Sequence, residues 1–133
     1  MVKILVVGPN GKMGKAIIHQ AYHHPEIELV GGVGPKGCRY SGTDLGVIAG
    51  IGEIIGVNAG DDIEEVIHLC DVVVECTNAD SSVETVDTCV PVGKPIVSGT
   101  TGLTAKQKAH FQAAGRSIPV MLASNTSKIA HLY

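Results

Sequence analysis

The sequence predicts an α/β protein built on an open, mostly parallel sheet of about six strands. Two observations carry this. Short runs rich in β-branched residues alternate along the whole chain with segments whose apolar residues recur at helical spacing. Glycine accounts for 17 of the 133 residues, about twice its ordinary share, and many glycines fall where the apolar runs end. Strands alternating with helices pair in parallel through crossover connections. Right-handed crossovers then put helices on both faces of the sheet.

The elements follow in order. Lys3–Val7 reads as a buried first strand. Lys12–His24 repeats Met13, Ala16, Ile17 and Ala21 at helical spacing, and Pro25 stops it. Ile27–Val33 is the second strand, closed by the turn Gly34-Pro35-Lys36-Gly37. The stretch from Cys38 to Gly52 is rich in glycine, and Asp44–Ala49 holds one helical turn within it. Glu53–Val57 is the expected third strand. Asp61 and Asp62 open a helix running to Cys70, where acids suit the positive end of the helix dipole. Asp71–Cys76, with its continuous Val72-Val73-Val74, is the fourth strand, and Ser81 or Ser82 caps a helix through Cys89. Pro95–Ser98 is the fifth strand. Thr104–Ala114 is a helix capped by Thr104 and closed by Gly115, and Ile118–Ala123 is the sixth strand. About ten residues remain, too few for a second domain, so residues 1–133 are expected to form a single domain.

Composition excludes several function classes. Hydrophobic residues make up 44% and charged residues 17%, a globular balance and not a disordered one. The net charge of −3 argues against a nucleic-acid binder. With no tryptophan and one phenylalanine there is little to stack on bases, and the core must be aliphatic. No apolar run approaches the ~20 residues of a membrane helix. The opening Met1-Val2-Lys3-Ile4 enters a strand without signal-peptide organisation, so a cytoplasmic chain with reduced thiols is expected. The four cysteines form no CxxC pair and the six histidines no HExxH, so no metal is expected.

The sharpest local signal is Gly8-Pro9-Asn10-Gly11-Lys12-Met13-Gly14, a G-x-x-G-x-x-G turn joining the first strand to the first helix. A diphosphate must lie close to the backbone there, and a Cβ at Gly11 would block it. The helix N-terminus offers free N–H groups and the positive end of its dipole, and Gly14 lets the helix pack tightly on the strands. The bland reading is a tight turn that needs glycine for its conformation alone. The dinucleotide reading makes the fold Rossmann-like and doubly wound, with Gly8, Asn10, Gly11, Lys12, Met13 and Gly14 at the cofactor. The acid that usually binds the adenine ribose after the second strand is missing, because Gly34 stands there. Lys36 and Arg39 lie within reach of a 2′-phosphate, or are solvated loop charges, so NADPH and NADH both stay open.

A second cluster gathers on the same sheet edge. Ser98-Gly99-Thr100-Thr101-Gly102 follows the fifth strand, Cys76-Thr77-Asn78 closes the fourth, and Ser124-Asn125-Thr126-Ser127 closes the sixth. Ligands of open parallel sheets bind beyond the carboxyl ends of strands. Thr77, Gly99, Thr100, Thr101 and Asn125 are therefore candidates for the nicotinamide side, against the alternative of ordinary turn and cap chemistry. Cys76 sits at that edge too, either as a nucleophile or as a small buried hydrophobe.

The G-x-x-G-K-M-G opening, Gly42-Thr43-Asp44-Leu45-Gly46, Gly99-Thr100-Thr101-Gly102 and Ala123-Ser124-Asn125-Thr126-Ser127 occur in that order. Together they resemble the N-terminal domain of 4-hydroxy-tetrahydrodipicolinate reductase, the dihydrodipicolinate reductase family of lysine and diaminopimelate biosynthesis. The resemblance implies an NAD(P)H-binding domain of an oxidoreductase, with the Gly-Thr-Thr-Gly turn against the nicotinamide. It also implies a second domain carrying the substrate-binding histidines and lysine and the tetramer interface, and that domain has no counterpart in these residues. The chain departs from the family at Cys76-Thr77-Asn78-Ala79, where Phe-Thr-x-Pro is usual. It departs again at Asn125-Thr126-Ser127-Lys128-Ile129, where the hydrophobic and final glycine positions differ. The expected function is a cofactor-binding module, catalytically incomplete alone. Alternatives are a non-catalytic nucleotide-binding or regulatory module, one half of a split reductase completed by a separate substrate-domain chain, or a domain whose nucleotide site is lost. A homo-oligomer would have to form through a face other than the family's usual one.

Overall fold

The computed structural model describes residues 2–100 and 102–122. The strands are β1 (Val2–Val7), β2 (Ile27–Val33), β3 (Ala59–Gly60), β4 (Val72–Glu75), β5 (Ile96–Ser98) and β6 (Val120–Leu122). The helices are α1 (Lys12–Tyr22), α2 (Leu45–Ala49), α3 (Ala79–Val92) and α4 (Ala105–Ala114). The strands form one sheet in the order β3-β2-β1-β4-β5-β6, and every pairing is parallel. The order reverses between β1 and β4, which makes the sheet doubly wound and Rossmann-like, and places its crevice between those two strands.

The period of two along β1 divides the core. Ile4 and Val6 face a cluster built with Ile17, Ile18 and Ala21 of α1 and Leu45 of α2. Leu5 and Val7 face the other side, with Val86 and Cys89 of α3 and Phe111 of α4. Each such large apolar side chain contributes about 1.5–3 kcal/mol when buried, so both faces anchor the central strands. Among the described residues no helix is long and apolar enough to cross a membrane.

Three elements differ from the sequence expectation. The third strand is not Glu53–Val57 but Ala59–Gly60, paired with Gly32 and Val33. Gly52 and Gly56 both take φ of 89°, which breaks an extended run. The amides of Ile55, Gly56 and Val57 then bond the Asp44 carboxylate instead of a neighbouring strand. The helix expected from Asp61 to Cys70 is two 3₁₀ turns, Ile63–Glu65 and Ile67–Leu69. Asp62 does cap the first, accepting from the Glu64 amide at 3.0 Å, but Ile63, Val66 and Ile67 are β-branched and poor at sustaining a helix. The cap of α3 is Asn78, whose Oδ1 accepts from the Ser81 amide at 2.9 Å, and not Ser81 or Ser82. The helix also runs past Cys89 to Val92, where Gly93 closes it at φ 68°. By contrast, Thr104 caps α4 as expected, reinforced by a reciprocal bond from its amide to Gln107.

Asp44 organises the segment between β2 and β3. Its carboxylate accepts the amides of Gly46, Ile55, Gly56 and Val57 at 2.7–3.2 Å, capping α2 and tying the 51–58 loop to it. Burial pushes this carboxyl up, and the amides of Ile55, Gly56, Gly46 and Val57 together outweigh it and hold the group below its ordinary value. Stability linked to a lowered carboxylate is present above the ordinary carboxylate range and is lost as pH falls through the folded-state value. Asp44→Ala is expected to destabilise the chain by about 2–3 kcal/mol through the lost cap and orphaned amides. Thermal melts at neutral pH and in acid check this: the gap between wild type and variant should close as pH falls below the carboxylate range.

Candidate functional site

The carboxyl ends of the central strands lie in one row, with Val33 paired to Val7, Val7 to Glu75, and Glu75 to Ser98. The loops that leave this row form the candidate site. Gly8 turns the chain out of β1 at φ 90°, and a Cβ there would stand 2.5 Å from the Cys76 carbonyl oxygen. Gly14 lies on the first turn of α1, where a Cβ would come 2.0 Å from the Gly8 carbonyl oxygen. These two glycines are demanded by the fold. Gly11 is not: a Cβ there would meet only ordinary contacts at 3.7 and 3.9 Å, and its φ of −77° suits any residue.

Gly11 is the N-cap of α1, and no side chain bonds that end of the helix. Helices α2, α3 and α4 all carry side-chain caps, from Asp44, Asn78 and Thr104. The first amides of α1, on Lys12, Met13 and Gly14, therefore have no side-chain capping oxygen, and the turn that carries them leaves β1 at the switch point of the sheet. Asn10 and Lys12 are exposed beside them, whereas the Met13 side chain packs toward the α1-side core and offers a ligand only its amide.

Next to this turn a cleft of about 460 Å³ opens beyond β1 and β2. It is bounded by the Gly34–Lys36 loop, by Asp61, and by Thr77, Ser81 and Glu84 around the start of α3. At Gly34 a Cβ would lie 2.0 Å from the Tyr40 hydroxyl, the far end of a half-buried side chain, so a larger residue there requires the Tyr40 ring to move. The acid beside this loop comes from the end of β3 instead. Asp61 accepts the Gly37 amide on one carboxylate oxygen at 2.9 Å and lines the cleft. Lys36 lines it too, among the carboxylates Asp61, Asp62, Glu64 and Glu84. Arg39 is exposed and is not among the lining residues.

On the far side of the crevice Glu75 ends β4 wholly buried. Its carboxylate accepts hydrogen bonds from Ser82, Ser98 and Thr100 hydroxyls and from the Thr77 amide and hydroxyl. The Gly99 amide bonds the Glu75 carbonyl at 2.8 Å. The structure thus brings Thr77, Gly99 and Thr100 together, as the sequence suggested, around an acid the sequence reading passed over. The signal was available: a lone acid closing Val72-Val73-Val74 in a strand buried on both faces needs partners. Thr101 and Asn125 lie outside the described residues. The Cys76 thiol is pushed up to about 12 by burial and then by the Glu75 carboxylate, which leaves it a protonated small hydrophobe at neutral pH and not a nucleophile. Among the described residues no group of three or more His, Cys, Asp or Glu side chains is placed to hold a metal ion.

Comparison with known proteins agrees with this geometry. The family model for the dihydrodipicolinate reductase N-terminus matches residues 2–126. The 4-hydroxy-tetrahydrodipicolinate reductase of Citrifermentans bemidjiense is 38% identical over 127 residues, covering 96% of this chain and 47% of that protein. The chain thus spans about half the length of the curated relatives it matches. A dipicolinate-bound dihydrodipicolinate reductase from Paenisporosarcina sp. TG-14 superposes with a TM-score of 0.71 at 25% identity, over 94% of this chain and 48% of that one. An oxidoreductase from Agrobacterium radiobacter, solved with NAD+, L-tartaric acid and magnesium, shares the fold at TM-score 0.70 and 15% identity, over 91% of this chain and 34% of that one. With its sequence matched from end to end of the sheet and its glycine turn at the switch point, the chain belongs to the dihydrodipicolinate reductase N-terminal family.

Proposed function

We propose that this chain is the cofactor-binding part of a 4-hydroxy-tetrahydrodipicolinate reductase and that its dinucleotide is NADH in preference to NADPH. The observation that carries the reading is the uncapped N-terminus of α1 above the Gly8–Gly14 turn, opening on the crevice between β1 and β4. Its amides and dipole suit a diphosphate, and exposed Lys12 adds a positive charge. The cleft beyond β2 fits the adenosine half, and Asp61, which lines it and spends one carboxylate oxygen on the Gly37 amide, is the acid proposed to accept from ribose hydroxyls. The loops at Thr77 and Thr100, across the switch point, fit the nicotinamide half. A bound dihydronicotinamide supplies the reducing hydride, and the residues described here bind and orient it. Substrate recognition is assigned to the remainder of such a reductase, carried on a continuing or separate chain.

The charge of the cleft supports this preference. One lysine faces four carboxylates, so a 2′-phosphate would bring further negative charge into a negative site. NADH is expected to bind about tenfold more tightly than NADPH, a difference of about 1.4 kcal/mol. Asp61→Ser should narrow or reverse that ratio. Titration calorimetry with NADH, NADPH and ADP-ribose tests both points. No heat with any of the three would remove the cofactor reading, and tighter NADPH binding would remove the preference. With NADH and the dihydrodipicolinate precursor, these 133 residues alone should show little or no turnover.

A further inference from the structure

The geometry points to Glu75 as the positioning residue of the nicotinamide side, tying together the two loops that flank the ring and setting their hydroxyls as hydrogen-bond acceptors. This rests on the cofactor reading above and extends it. Glu75 is 0% exposed at the end of a central strand. Its neighbours in the sheet row are Val7 and Ser98, neither of them charged. One carboxylate oxygen accepts from the hydroxyls of Ser82 and Ser98, each at 2.7 Å, and from Thr100 at 2.9 Å. The other accepts from the Thr77 amide at 2.8 Å, the Thr100 hydroxyl at 2.7 Å and the Thr77 hydroxyl. All these donors are neutral.

For stability alone, a buried carboxylate is a poor choice. Taking it out of water is costly, and a well-packed apolar residue often serves as well or better. What the carboxylate does is collect donors from separate parts of the fold: the loop after β4, the first turn of α3, the end of β5 and the turn after it. The Thr77 amide also reaches the Thr100 hydroxyl at 3.3 Å, joining the two loops directly. Both loops leave the sheet at the carboxyl edge beside the crevice.

The same bonds fix a chemical sense. A hydroxyl has one hydrogen and two lone pairs. The Thr100 hydroxyl donates to the Glu75 carboxylate, and the Thr77 hydroxyl has only acceptors as partners, that carboxylate and, at 3.4 Å, the Asn78 carbonyl. Toward a ligand these two oxygens can then accept but not donate. The part of a nicotinamide that fits such oxygens is its carboxamide NH₂, the one N–H donor on the ring side of the cofactor. A carboxylate at position 75 enforces this polarity; an amide there does not, because its NH₂ must be accepted by one of the surrounding hydroxyls, which frees that hydroxyl to donate outward.

The test compares three probes on the full chain by calorimetry: NADH, its acetylpyridine analogue, in which a methyl group replaces the carboxamide NH₂, and ADP-ribose, which lacks the ring. Wild type is expected to prefer NADH over the analogue by about tenfold, the scale of one hydrogen bond. Glu75→Gln should reduce that preference to about threefold or less and leave ADP-ribose binding within about twofold. Ser98→Ala is the second variant, since Ser98 is fully buried against Glu75 and removes a single donor. It should weaken NADH relative to ADP-ribose in the same direction and by less, and it keeps the inference open to refutation where Glu75→Gln does not fold. If ADP-ribose binds but the NADH-to-analogue and NADH-to-ADP-ribose ratios are unchanged in the folded variants, the role of Glu75 is refuted while the cofactor reading stands. If ADP-ribose fails to bind wild type, the cofactor reading falls and takes this inference with it.

Discussion

Gly11→Leu is expected to abolish dinucleotide binding and to leave the fold standing. A Cβ at Gly11 would meet nothing closer than 3.7 Å, and the backbone there is in a region open to every residue. The fold therefore has no steric objection to a side chain. Replacing the N-cap glycine by an apolar residue costs about 1 kcal/mol of helix stability, a shift of a few degrees in melting temperature for a chain of this size. The ligand has a different view. A leucine would project from the N-cap into the approach to the amides of Lys12, Met13 and Gly14, where the diphosphate must come close to the main chain. A loss of affinity of at least about a hundredfold, or about 2.7 kcal/mol, is expected for NADH and for ADP-ribose alike. Calorimetry beside a thermal melt measures both quantities. Unchanged affinity in a folded variant would remove the diphosphate from this turn.

Gly14→Ala should do the reverse and strike the fold first. Intrinsic helix propensity favours alanine over glycine by about 1 kcal/mol, so an isolated helix would gain. In the folded chain the new methyl would sit 2.0 Å from the Gly8 carbonyl oxygen, 2.9 Å from the Gly8 carbonyl carbon and 3.0 Å from the Pro9 Cα. All three are backbone atoms of the turn itself and cannot swing aside. Helix α1 must lift away from the turn, which disturbs the packing of Ile17 and Ile18 against β1. Overpacking of this kind costs about 3 kcal/mol or more, which outweighs the propensity gain and lowers the melting temperature by about 10 °C. A melt at or above that of the native chain would show that the turn yields more easily than its contacts imply. The pair of variants separates two reasons for glycine within one motif: closeness of chain to chain at position 14, and closeness of ligand to chain at position 11.

Local chemistry made several features readable in advance. The strands read as Lys3–Val7, Ile27–Val33 and Asp71–Cys76 stood out because residues buried in the middle of a parallel sheet form short, largely apolar runs, such as Ile4–Val7 and Val72–Val74. The capping box at Thr104 was half visible, since Thr104 was read as the cap. The turn of glycines was visible because its strand and helix flank it directly. Other features depended on partners far away in sequence. Asp44 draws three amides from residues 55–57, eleven to thirteen positions on, and this displaces the third strand. Asn78 took the cap of α3, and Ser82, freed from that task, turned inward to Glu75. Gly34 was read as a missing acid, and the acid beside its loop proved to be Asp61, which reaches the Gly37 amide from the end of β3.

The order of strands and helices, and the glycine turn that opens the crevice, follow from the chain's own periodicity and from residues adjacent to one another. Backbone conformation and amphipathic period are local properties, so a linear reading reaches them. The ring of hydroxyls around Glu75 and the arrival of Asp61 beside the second strand's loop join residues up to about 25 positions apart. Those contacts exist only once crossover connections have laid the strands side by side. A carboxylate at the end of an apolar strand announces that it needs donors; only the packed sheet decides which loops must bend to supply them.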